Sequence, residues 1–180
     1  DLSIEGDGFF VVQNGAGETF YTRAGNFRLD DQGNLVNANG MFVLDVDGNA
    51  INLGGVQYHD ISIDYMGRMM GIPSGSSTSQ VIAVLGIATF TNTSGLQKAG
   101  NNTYIETTSS GSPLPGSTSV YKQAGFDGAG ALNPGTLEMS NVDLSNEFTD
   151  MIITQRGYQA NARVITVADS LLEELVNLKR

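Results

Sequence analysis

The sequence predicts a mainly β protein with one long C-terminal α-helix: an antiparallel β domain followed by a projecting helix of the coiled-coil type. Three observations predict it. Turn signals recur every 8–12 residues through positions 1–60, the spacing of short antiparallel strands. Glycine supplies 23 of the 180 residues while only 16% are charged, which suits many tight turns and does not suit a nucleotide-binding α/β enzyme. At Ser140 the hydrophobic pattern changes from a period of two to a heptad.

Residues 8–13 are a strongly apolar strand run. Asn14-Gly15 then predicts a type I′ hairpin turn, whose two central residues need positive φ. Residues 19–23 and 26–29 alternate as strands. A second turn follows at 30–34, a strand at 35–36, a third turn at Asn39-Gly40, a strand at 41–45 and a fourth turn at 47–49. Residues 54–80 carry a weaker pattern, with strands expected at 61–65 and 68–72 around Gly67. Residues 80–92 are a long β-branched run, expected at the centre of a sheet. From about 93 to 139 no period survives, and three of the four prolines fall here. A long irregular surface segment is expected, held to the sheet by Leu96, Tyr104, Tyr121 and Phe126. A run of that length inside a compact domain implies a binding role.

The β domain is expected over 1–139 and the helix over 140–180. From Val142 onward there is no proline and one glycine, Gly157. Ser140 is the expected N-cap, with Asp143 three residues on. Leu144, Phe148, Met151, Gln155, Tyr158, Ala162, Ile165, Asp169, Leu172 and Val176 follow a strict four-three spacing. A second stripe, Val164, Ala168, Leu171, Leu175 and Leu178, runs beside it. A helix apolar on more than one face needs a partner helix. Gln155 and Asp169 sit in the seam, where polar residues can fix register at a cost in stability; a solvated face is the other reading. Gly157 costs about 1 kcal/mol against alanine in mid-helix, a cost that close approach of another backbone would offset.

Composition excludes several functions. Lys and Arg number 9 against 19 Asp and Glu, a net charge of −10. Such a chain is repelled by phosphate backbones and anionic membrane surfaces, so no nucleic-acid partner is expected. No apolar run approaches the ~18–20 residues that span a bilayer, so membrane insertion is not expected either. There is no cysteine, hence no disulfide, thiolate site or cysteine nucleophile. His59 is the single histidine, too few for a His/Cys zinc site, and no nucleophile-elbow sequence accompanies it. Residues 45–49 resemble the start of a calcium loop, but its sixth and twelfth positions are Ala50 and Val56 rather than Gly and Glu. A hairpin turn fits better. No catalytic residue, cofactor or metal ligand is expected, and an enzyme is not. The chain opens at Asp1 on what reads as a strand, so a piece or processed form of a longer protein is expected.

Several motifs carry a resemblance. Residues 1–10, Asp-Leu-Ser-Ile-Glu-Gly-Asp-Gly-Phe-Phe, are followed by Tyr-Thr-Arg-Ala-Gly-Asn-Phe at 21–27 and Asp-Gln-Gly-Asn-Leu-Val at 31–36. Leu96, Gly100, Asn102 and Tyr104 form a further pattern. Gly-Thr-Leu-Glu-Met-Ser-Asn-Val-Asp-Leu at 135–144 and Gln-Arg-Gly-Tyr-Gln-Ala-Asn-Ala at 155–162 complete it. Together they resemble the bacterial flagellar rod and hook axial proteins. The ending at 175–180 resembles the hook branch, and the short middle resembles its compact Gram-positive form. The family pattern includes an N-terminal helical segment that pairs with the C-terminal helix; this sequence opens without it.

The resemblance implies a structural subunit of the flagellar hook, a flexible joint that passes torque from motor to filament. The distal rod is the alternative within the family; a secreted ligand- or calcium-binding β module, using Asp45 and Asp47, is the alternative outside it. The implied partners are other hook subunits in a homo-polymer, adjacent rod and hook-filament junction proteins, and the hook cap and type III export apparatus during assembly. The implied location is extracellular, in the flagellum. The expected assembly interface is Leu144, Phe148, Met151, Gln155, Tyr158, Ile165, Leu171, Leu172, Leu175, Val176 and Leu178.

Overall fold

A computed structural model of the chain describes residues 1–140 and 142–178. Two compact units divide it, Asp1–Glu138 and Met139–Arg180. The first is built of antiparallel strands and the second holds one long helix, the fold class that the change of period predicts.

Among the described residues the first unit has fourteen short strands. β1 (Leu2–Glu5), β2 (Phe9–Gln13), β3 (Thr19–Thr22), β4 (Arg28–Leu29), β5 (Leu35–Val36) and β6 (Phe42–Val43) come from the turn-rich start. β7 (Tyr58–Ile63), β8 (Arg68–Pro73) and β9 (Gln80–Val84) form a three-stranded sheet of their own. β10 (Gly86–Ala88), β11 (Gln97–Gly100), β12 (Thr103–Ile105) and β13 (Lys122–Gln123) join the large sheet. That sheet runs β11-β12-β3-β2-β6-β5-β4, with β10 on the second edge of β2 beside β6, and β13 on β10. β14 (Ala131–Pro134) pairs only with β1, in register from Leu2 opposite Pro134 to Glu5 opposite Ala131.

β2 is the centre of the unit. Its side chains alternate between two cores, as a pleated strand requires. Phe10 and Val12 enter one core with Leu35, Val43, Leu85 and Ile87; Val11 enters the other with Tyr21, Leu44, Ala88 and Phe90. A strand buried on both faces reads as a continuous apolar run. Edge-to-face rings fill both sides, Phe10 on Phe27 at 5.0 Å and Tyr21 on Phe90 at 4.8 Å.

The turns differ from the predicted type I′. One module recurs five times, with Asn or Asp at its first position and glycine at its fourth: 14–18, 30–34, 37–41, 45–49 and 64–68. In the second, the Asp30 Oδ1 accepts the amides of Gln32 at 2.9 Å and Asn34 at 2.7 Å, and Gly33 N–H donates to the Asp30 carbonyl. Asn14, Asn37, Asp45 and Asp64 repeat these contacts. The fourth residue takes positive φ, +81° at Gly33 and +76° at Gly67, which glycine adopts without steric cost. The side-chain oxygen thus closes a type I turn that glycine ends, and these five turns need no left-handed pair. In 45–49 the Asp45 Oδ1 is committed to backbone amides, so this stretch is a turn.

Two further expectations are corrected. Residues 80–92 are not one central strand: β9 is an edge of the three-stranded sheet, and after the fully buried Leu85 the chain passes to the large sheet as β10. At Gly86 a Cβ would meet the Asp45 carbonyl oxygen, and this close approach marks the crossing. Nor is 93–139 irregular throughout. It holds a 3-10 turn (Thr93–Gly95) and β11 to β14. These strands are two to four residues long, too short for a period; β11 pairs with its neighbour β12, and β12, β13 and β14 pair with strands distant in sequence. Tyr121 is buried, Leu96 and Tyr104 are half-buried against the second core, and Phe126 is exposed.

Candidate assembly interface

In the first unit several polar and titrating groups hold the structure together. The Arg23 Nη1 donates to the carbonyls of Gly6 at 2.8 Å and Gly8 at 2.9 Å, and its Nη2 to that of Ile4 at 3.2 Å. Its Nε pairs with the Glu138 carboxylate at 2.8 Å, and the guanidinium stands 5.9 Å from the Phe9 ring centroid. One side chain therefore organises the turn between β1 and β2. Burial, with Tyr121 and Glu106 beside it, pushes the Tyr21 phenol up. His59 Nε2 lies 3.0 Å from the hydroxyl of Ser74, just past β8, in an exposed contact, with no carboxylate bonded to the ring among the described residues, as a triad would need. Among the described residues no group of three or more His, Cys, Asp or Glu could hold a metal ion.

The helix α1 (Leu144–Leu178) carries the candidate site. Its N-cap is Asp143 and not the expected Ser140: the Asp143 Oδ1 accepts the Ser145 amide at 2.8 Å, and the Asp143 carbonyl takes the first helical bond, from Glu147 at 3.1 Å. Asp is as good a cap as Ser, and it stands directly before the first turn, where a carboxylate also meets the positive end of the helix. Asn141, inside the expected capping sequence, lies outside the described residues, as do Lys179 and Arg180.

The 35 residues of α1 run without a break, about 52 Å at ~1.5 Å per residue. The four-three spacing is therefore realised as one stripe. Leu144, Phe148, Met151, Gln155, Tyr158, Ile165, Leu172 and Val176 lie along it, with Leu171, Leu175 and Leu178 on the neighbouring stripe, and none is buried. The spacing misses Ile152, Ile153 and Val167, which are exposed too. Their signal is plain apolarity off the seam, and it widens the sticky surface beyond two stripes. At Gly157 a Cβ would find nothing within 4 Å, so the chain itself gives no packing reason for that glycine. No helix among the described residues is long and apolar enough to cross a membrane. So much exposed aliphatic surface is the mark of an interaction site.

Comparison with known proteins falls on both units. Residues 3–71 match the family described as flagellar hook protein FlgE/F/G D1 domain, and residues 133–178 match flagellar basal body rod FlgEFG protein C-terminal. The flagellar basal-body rod protein FlgG of Bacillus subtilis (strain 168) is 46% identical over 180 residues, which is 100% of this chain and 65% of that protein. The rod protein FlgG of Caulobacter vibrioides is 34% identical over 99% of this chain and 64% of its own length. The flagellar hook protein FlgE of Treponema pallidum (strain Nichols) is 45% identical over 121 residues, 67% of this chain and 25% of that protein. The chain thus spans a little under two thirds of these rod proteins.

Proposed function

This chain belongs to the flagellar hook and rod protein family, and on that premise we propose that it is a structural subunit of the flagellar rod, part of the basal body. One observation carries the choice of rod. The relatives named as rod protein align over nearly the whole chain, the middle residues 54–92 included, while those named as hook protein align over 117–121 residues. The hook, a joint passing torque from motor to filament, is the second reading. The 45–46% identity of the hook relatives over their shorter stretch favours it.

In either place the chemistry is assembly and not catalysis. The exposed stripes of α1 pack against helices of neighbouring copies in a helical polymer. Each of Ile165, Leu171, Leu172, Leu175, Val176 and Leu178 gains roughly 1.5–3 kcal/mol on full burial. The β unit then stands as a rigid block in the wall of the tube, joined to adjacent rod and hook subunits. Passage through the export apparatus as an unfolded chain would keep the stripes apart until the growing tip.

Electron cryotomography of cells lacking the protein tests this. A truncated rod is expected. A complete rod bearing no hook would move the protein to the hook, and unchanged flagella would overturn both readings.

A further inference from the structure

Residues 69–97 hold not one charged side chain, in a protein of net charge −10. Copies of so acidic a chain repel one another, and they approach at least cost where uncharged surfaces meet. Two such surfaces lie on the β unit.

The first is a pocket of about 250 Å3 lined by Thr22, Asn26, Asn37, Asn39, Asn101 and Asn102, with no formally charged residue among those lining it. Asn37 is only 7% exposed, and its Oδ1 accepts the amides of Asn39 and Met41, each at 2.9 Å. Its Nδ2 has no partner among the described residues, so a nearly buried side chain keeps an open donor for something entering the pocket. Asn101 and Asn102, with φ of 49° and 58°, form the two-residue turn between β11 and β12 on the pocket's edge. The space falls below the ~300–1,000 Å3 of ordinary ligand sites, but it accepts one or two small side chains.

The second surface is the loop at 74–79, Ser-Gly-Ser-Ser-Thr-Ser, which joins β8 to β9 and is exposed throughout. Ser76 and Thr78 bond each other, while the hydroxyls of Ser77 and Ser79 have no partner among the described residues. A hydroxyl both donates and accepts, and so matches either end of an asparagine amide. A second uncharged loop, 107–117, spends three hydroxyls within the chain, Thr107 on Gly95, Ser110 on Thr107 and Ser117 on Asp127, and keeps those of Thr108, Ser109 and Ser112 without a partner among the described residues; the 74–79 loop is the one continuous with the uncharged run 69–97.

We propose that the 74–79 loop of one copy seats in the amide-lined pocket of a second copy. The two surfaces are different patches, so the contact is head-to-tail and can repeat along a helical array. The inference rests on the polymer reading above and adds to the helical stripes a contact between β units.

Because the chain has no cysteine, an Asn39→Cys/Ser77→Cys variant carries two lone thiols, both at exposed positions. A disulfide forms only where the Cα atoms come within about 7 Å. The variant is expressed in place of the natural protein, the axial structures are purified, and a mild oxidant is added. A ladder of multimers is expected on a non-reducing gel, collapsing to monomer with reductant, and neither single-cysteine variant should give it. An Asn26→Cys/Ser79→Cys pair, run in parallel, covers a substitution that itself blocks docking. Assembled structures whose thiols stay free to maleimide, or that give dimers only, overturn the contact and leave the polymer standing. Absence of the protein from the axial structures overturns the polymer reading, and this contact with it.

Discussion

Arg23 and Glu138 stand 115 residues apart in sequence and meet at 2.8 Å. The pair joins the residue that follows β3 to the last residue of the β unit. The carboxylate is the smaller part of what Arg23 does, since three carbonyls of the turn between β1 and β2 also accept from it. Arg23→Ala should destabilise the β unit by about 1–3 kcal/mol by orphaning them. Glu138→Gln, removing a partly exposed ion pair, should cost under about 1 kcal/mol. Urea titrations followed by near-ultraviolet circular dichroism check the order; equal losses would mean that the ion pair carries the effect.

Acid should weaken the unit through its turn aspartates. The side-chain amide of Asn34, then its backbone amide, hold the Asp30 carboxyl below its ordinary value. At Asp64 burial alone would raise the carboxyl, but the amide, guanidinium and charge of Arg68 outweigh it and the net shift is downward. A depressed folded pKa contributes stability that is present above the unfolded value, near ~3.9, and is lost as pH falls through the folded one. The melting temperature should therefore hold above about pH 5 and fall below it. Asp30→Asn should keep the turn, since Asn14 and Asn37 close the same module, and should flatten the acid fall. Asp30→Ala should lower the melting temperature at neutral pH as well.

The strands at the start of the chain and the long helix were legible because each repeats a local pattern. Phe9 to Val12 reads as a strand from apolarity, and Leu144 to Val176 reads as a helix from spacing. Turn positions were legible and turn type was not. The Asx-x-x-Gly spacing is present eight times and only five of them close this module, and Asn-Gly and Asp-Gly pairs draw attention to a different turn. Asp143 was passed over as cap because Ser140 offered the acid three residues on that a capping box wants. Arg23 gave no local signal at all, because its partners are carbonyls, which every residue has. β11 and β12 form a local hairpin around Asn101-Asn102 that is too short to show a period, while β13 and β14 are defined by distant partners and are invisible to any window along the chain. The eleven proposed interface residues follow from spacing alone.

Leu172→Asp/Leu175→Asp should leave the β unit's near-ultraviolet signal and melt unchanged, since no residue of α1 is buried in its own chain. The same double variant in cells should abolish the axial polymer and motility. Normal flagella in the electron microscope would remove these stripes from the interface.

Gly157→Ala separates two roles for one glycine. In the isolated chain the methyl group has open space, and the helix should gain about 1 kcal/mol, read as raised helicity. In the polymer, close approach of a second backbone at Gly157 would turn that gain into an assembly defect. Full motility alongside raised helicity would show that no backbone packs there.

The ladder between β1 and β14 sets how the β unit answers a pull. Gly135 N–H donates to the Asp1 carbonyl at 2.9 Å, next to the pairing of Leu2 with Pro134. Tension applied at Asp1 and Glu138 would therefore act on the two strands from the same end. Antiparallel strands loaded in that way peel one bond at a time, where strands loaded from opposite ends would share the load across every rung. The ladder is a zipper with its slider at the edge.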